Sequence, residues 1–118
     1  MKIKDIQTAL DADLLTPDAD LDREVHTACG SDMMSDVLAF VKDQAVLLTG
    51  LNNPQVVRTA SMMDMLCIVF VRGKRPEESV LKLAQQMDIV VLATKLSMFP
   101  ACGILYQNGL RGGKQPDN

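Results

Sequence analysis

Three short segments of the sequence carry residue types that hold anions. They are Thr49-Gly50 with Asn52-Asn53, Arg72-Gly73-Lys74-Arg75, and Thr94-Lys95 with Ser97. Together they offer hydroxyls, side-chain amides, two glycines and four cations. In the first, the apolar run Ala45-Val46-Leu47-Leu48 stops at Thr49-Gly50, and a helical pattern starts at Asn53-Pro54. A strand, a tight turn and a helix start of this kind aim backbone N–H groups and a helix dipole at one point, which suits phosphate or carboxylate. In the second, three cations stand within four residues, as in a phosphate clamp. The expected ligand-binding set is therefore Thr49, Gly50, Asn52, Asn53, Arg72, Gly73, Lys74, Thr94, Lys95 and Ser97. The same residues also have plain structural duties: Gly50 and Gly73 permit turns, Asn53 and Ser97 cap helices, and the cations decorate a solvated loop.

Other chemistry is poorly supported. Neither Gly-Lys pair belongs to a P-loop, because Ile68 and Asn108 stand where the first glycine of that motif is needed. Asp18, Asp20 and Asp22 alternate like the start of a calcium loop. Arg23 and Cys29, however, fill the positions that require Gly and Glu. His26 is the only histidine and has no metal partner or nucleophile in the pattern. Cys102 lies near Lys95 and Ser97, but nothing in the sequence activates it, so it reads as buried filler. The run Met62, Met63, Met65 reads as core or as a contact surface. No catalytic residue, metal site or cofactor is expected.

The elements that must position the anion-type residues follow from periodicity. Apolar residues at Ile3, Ile6, Ala9 and Leu10 give a helix over 2–10, ended by Asp11-Ala12-Asp13. Leu14-Leu15-Thr16 is a short strand stopped by Pro17, and Glu24 to Cys29 is a second strand leading to Gly30. Ser31-Asp32 is expected to cap a helix from Met33 to Lys42 with Met34, Val37, Leu38 and Val41 buried. Then the pattern becomes regular: strand 45–49, helix 54–63, strand 66–71, helix 76–87, strand 89–93 and helix 98–107. Pro54 and Pro76 are placed at first helical positions, where a missing N–H costs nothing. Apolar runs such as Cys67-Ile68-Val69-Phe70-Val71 indicate strands buried on both faces. The fold class expected is α/β: a compact, mostly parallel sheet built from short βα units, with helices on its faces and right-handed crossovers. Its strand C-termini share one edge, and ligands bind at such an edge.

A chain of 118 residues, 47% of them apolar, makes one domain. Aromatics are only 3%, so the core must be aliphatic with help from eight Met. A net charge of −3 argues against nucleic-acid binding. No apolar leader follows Met1, and the longest apolar run is too short to cross a bilayer. Three widely spaced cysteines fit a reducing cytoplasm, which is the localisation expected. The tail from Gly109 is expected to fray, giving a domain over 1–110 and a flexible tail over 111–118.

Several motifs, in order, resemble one family. They are Asp22-Arg23-Glu24; Gly30-Ser31-Asp32 with Met34-Ser35-Asp36-Val37-Leu38; Leu47-Leu48-Thr49-Gly50; and Pro54-Gln55-Val56-Val57-Arg58-Thr59-Ala60. Val71-Arg72-Gly73-Lys74 follows, then Ala93-Thr94-Lys95 with Ser97-Met98-Phe99, and Ala101-Cys102-Gly103. Over Met1 to Leu110 the chain is similar to a stand-alone DRTGG domain. That family resembles the α/β N-terminal domain of HPr kinase/phosphorylase. It occurs also in long phosphotransacetylases and between the CBS domains of regulatory pyrophosphatases. In the pyrophosphatases it helps form the dimer and is associated with diadenosine polyphosphates.

The resemblance implies a regulatory, ligand-sensing or dimerising module with no catalytic centre. Its expected partners are a second copy, supported also by the Met-rich apolar content, and an adenine nucleotide or other small anion. A protein partner is a further expectation, and neither nucleic acid nor membrane is one. The alternatives are a small phosphate- or acyl-handling enzyme, or a partner-binding subunit without a small ligand. No kinase, transferase, phosphatase or CBS segment is recognisable in these residues.

Overall fold

The computed structural model describes residues 1–39 and 44–112. Five strands form one sheet in the order β1-β5-β4-β3-β2. Strands β2 (Thr27–Gly30), β3 (Ala45–Thr49), β4 (Cys67–Phe70) and β5 (Val90–Ala93) run parallel, and β1 (Asp13–Leu14) pairs antiparallel with β5. Every residue of β3, β4 and β5 is buried. Their side chains alternate between two cores, as the pleat requires. Val46, Leu48, Cys67, Val69, Val90 and Leu92 face helices α1 (Ile3–Ala9) and α5 (Met98–Gln107). Leu47, Ile68, Phe70 and Val91 face α2 (Met34–Leu38), α3 (Pro54–Met62) and α4 (Glu78–Gln86). The strands β2 to β5 lie in unbroken sequence order, so connections of one hand put α2, α3 and α4 on one face. The mostly parallel α/β architecture is as the sequence implies.

The helices stop by a repeated device. Asp11, Asp64 and Asp88 follow α1, α3 and α4 in left-handed conformation (φ 48°, 56° and 59°), and Gly109 does the same after α5 (φ 103°). The next N–H reaches back into each helix: Ala12 to Gln7 O and Met65 to Ala60 O, both at 2.9 Å, Ile89 to Ala84 O at 2.9 Å, and Leu110 to Leu105 O at 3.1 Å. These bonds satisfy late helical carbonyls, and the residues that make them are apolar and buried.

Four sequence expectations need correction. Helix α2 spans only Met34–Leu38; Val41 and Lys42 lie outside the described residues. Asp32 does not cap it, because its carboxylate is engaged by the turn after β3. Ser31 Oγ instead accepts from Met33 N at 3.0 Å. Pro76 precedes α4 rather than starting it, since Glu77 holds the extended N-cap conformation. The stretch from Gly109 is not frayed at Leu110 and Arg111. Leu110 is buried, and Ala28 N donates to Arg111 O at 2.9 Å. Residues 113–118 lie outside the described residues. Among the described residues, no helix is long and apolar enough to cross a membrane.

Candidate functional site

The loops after β3, β4 and β5 emerge at one edge of the sheet, as parallel strands dictate. Thr49, at the end of β3, is fully buried, and its Oγ accepts from Leu51 N at 3.1 Å. The same hydroxyl donates to Asp32 Oδ1 at 3.2 Å, and Gly50 N donates to that oxygen at 2.6 Å. The spot that favours an anion thus already holds one, supplied by the chain itself. Asp32 reaches it because β2 pairs with β3 in parallel, with Gly30 beside Leu48. Strand pairing is not readable from local pattern, so Asp32 looked like a helix cap.

Gly50 serves close approach. It is not among the positive-φ residues, yet a Cβ there would lie 2.5 Å from Arg72 Nη2 and 3.2 Å from its Cζ. The Arg72 guanidinium therefore lies against the bare backbone of the β3 turn. Arg72 itself is left-handed (φ 61°), followed by Gly73 (φ 70°). A non-glycine residue held there carries about 1 kcal/mol of strain or more. The surrounding bonds hold it: Arg72 N donates to Leu96 O at 2.8 Å and Gly73 N to Thr94 O at 2.9 Å. The β4 and β5 loops are thereby laced together.

The remaining residues divide by duty. Thr94 is buried and structural; its Oγ donates to Leu10 O at 2.7 Å. Asn53 caps α3, accepting from Gln55 N at 3.0 Å. Asn52 Nδ2 ties its loop to Arg75 O at 2.9 Å, and Arg75 is ion-paired with Asp13. Ser97 occupies the N-cap of α5 without a side-chain bond to it. Lys74 and Lys95 are exposed. Among the described residues, no carboxylate pairs with Arg72, Lys74 or Lys95.

Two groups of the expected residues emerge. Thr49 and Gly50 meet around Asp32, and Arg72 lies against Gly50. Gly73, Thr94 and Lys95 line a separate cleft of about 480 Å³, bounded also by Asp11, Asp13 and Arg75. This cleft opens where the connections diverge, since α4 and α5 lie on opposite faces of the sheet. A broader hollow of about 660 Å³ lies at the opposite edge, by Arg23, His26, Asp64 and Asp88. The thiols are not poised for chemistry. Burial holds the protons on Cys29, Cys67 and Cys102 more tightly than on a free cysteine. Among the described residues, no cluster of three metal-ligating side chains occurs.

No curated protein sequence proved similar to the chain. Among solved structures, the fold is similar to the CBS and DRTGG domains of the regulatory region of Clostridium perfringens pyrophosphatase, complexed with its activator diadenosine tetraphosphate. The TM-score is 0.73 at 16% identity, over 90% of this chain and 46% of that one. The chain thus spans about half the length of that relative, and the likeness establishes the fold. A family model matches residues 5–107, nearly the whole described chain. The chain belongs to the DRTGG domain family.

Proposed function

We propose that this protein is a non-enzymatic regulatory module that dimerises and senses a small anion, of the phosphate or nucleotide class, at the carboxyl edge of its sheet. One observation carries the reading. Arg72 is strained at the backbone while its guanidinium, laid over Gly50, has no carboxylate partner among the described residues. Strain that persists in a well-determined surrounding points to a functional position. Lys74 and Lys95 stand on the same edge, exposed and without a carboxylate partner among the described residues. The backbone N–H groups of Gly50, Arg72 and Gly73 are already used, so recognition falls to these side chains. The family supports a sensing role, and the relative from Clostridium perfringens is a regulatory region bound to a nucleotide activator. Thiols held in their protonated form fit a reducing cytoplasm.

The test separates binding from folding. Melting is followed with adenine nucleotides, diadenosine polyphosphates and acyl phosphates. A ligand at about 100 times its Kd adds about 2.7 kcal/mol. Arg72→Gly removes both the guanidinium and the left-handed strain. It should melt higher than the parent by itself and lose the ligand response. A ligand response that survives Arg72→Gly, or none in the parent across the panel, overturns the assignment.

A further inference from the structure

Helix α5, MFPACGILYQ, contains no charged residue, in a chain that is 23% charged. Its inner face is buried through Ala101 and Leu105. Its outer face is uncharged and, apart from the exposed Gln107, apolar. Phe99 is 89% exposed and Tyr106 59%, with Pro100 and Gly103 exposed between them. By contrast, α3 and α4 turn Arg58, Glu78 and Lys82 outward. An uncharged helix face that exposes aromatic side chains belongs in an interior or an interface.

Gly103 is the second observation. Glycine inside a helix weakens it relative to alanine. Nothing among the described residues calls for one. Gly103 is not left-handed, and a Cβ there would meet no atom within 4 Å. Gly30 and Gly50 differ, since a Cβ on either would crowd Cys102 or Arg72. The remaining use of a bare backbone at this outward position is close approach from outside.

We propose that α5 is the self-association surface, with two copies crossing at Gly103 about a two-fold axis. This rests on the reading above that the protein dimerises. A second copy fits because the stripe is self-complementary. Phe99 and Tyr106 lie about one turn to either side of Gly103. A two-fold through Gly103 therefore sets Phe99 against Tyr106 of the partner subunit, and the reverse, as an isologous contact demands. Charge favours the same occupant. Each copy carries −3, and a charge-free helix is where two such molecules meet without like-charge contact. The Arg111 guanidinium lies 3.8 Å from the centre of the Tyr106 ring and donates to Tyr106 O, which fixes the rim of the patch. A ten-residue helix is about 15 Å long, and its face is smaller than the ~800 Å² per partner of a standard interface, so the dimer is expected to be a micromolar one.

Sedimentation velocity in reducing buffer, from low to several hundred micromolar, tests the proposal on the parent, Phe99→Ser and Gly103→Leu. Circular dichroism establishes that each variant is folded, as expected at exposed positions. The parent should dimerise and both variants should remain monomeric. Gly103→Leu is decisive because it adds apolar surface. If apolarity alone drove association, the leucine would strengthen it; a close crossing is instead blocked. Stronger association of Gly103→Leu overturns the crossing. Persistent dimers in both variants overturn α5 as the surface while leaving dimerisation standing. A parent that stays monomeric at every concentration overturns dimerisation itself.

Discussion

The Asp32 carboxylate takes the hydrogen bonds that Thr49 and Gly50 would otherwise offer to an incoming anion. It also sets the β2 loop against the β3 turn, so its removal has a local cost. Asp32→Ala leaves the Gly50 N–H without its acceptor, and an unsatisfied donor of this kind costs about 1–3 kcal/mol. The vacated position is then a small anion site beside a buried hydroxyl and the Arg72 guanidinium. Phosphate or sulfate should restore part of the lost stability in Asp32→Ala and have less effect on the parent. Thermal melts across an anion titration check this. Equal salt responses in the two proteins would show that the turn does not select anions. The sequence announced Thr49-Gly50 as an anion-type turn through its strand–turn–helix order. It did not announce Asp32, which arrives from a different strand through parallel pairing. Nor did it announce the left-handed Arg72, since the bonds to Leu96 and Thr94 that hold it come from the β5 loop.

At the scale of elements, helix endings show where stability can be changed without touching the site. Asp64 holds a left-handed conformation after α3, where a side chain crowds the backbone. Glycine adopts this conformation freely, and aspartate does so better than alanine. Asp64→Gly should therefore stabilise the fold by about 0.5–1 kcal/mol, and Asp64→Ala should destabilise it by a similar amount. Chemical denaturation gives the order directly; alanine melting above glycine would refute the conformational account. These endings also explain how well the elements could be read. The strand Ala45–Thr49 and the helix Met98–Gln107 fall where the pattern puts them. Continuous apolar runs mark strands buried on both faces, and polar breaks mark their ends. Helix α2 was the least readable. Its apparent cap, Asp32, is used elsewhere, and its described turn buries only Val37. Pro76 misled for a related reason. The chain stays extended at Glu77 before α4 begins, which periodicity alone does not register.

For the molecule as a whole, the two sheet edges are closed by short returns of the chain. On one side, β1 covers β5, with Leu15 N donating to Val91 O at 2.9 Å and Thr16 Oγ accepting from Val91 N at 3.1 Å. On the other, the residues after α5 fold back along β2. Arg111 bridges Thr27 in parallel sense, and Leu110 enters the core beneath α1 and α5. An open outer strand invites pairing with another chain, so these few residues protect as well as stabilise. Ending the chain at Asn108 removes the buried Leu110, worth about 1.5–3 kcal/mol. It also removes the bond from Ala28 N, worth about 0.5–1.5 kcal/mol. A loss of about 2–4 kcal/mol is a large share of an ordinary domain's stability. Ending the chain at Gly112 removes neither contact. The shorter form should melt well below the longer one and aggregate during heating, while the longer form should match the full chain. Equal melting of the two truncations would mean that Leu110 and Arg111 are not held against β2 in solution. A difference confined to aggregation would assign them to edge protection alone.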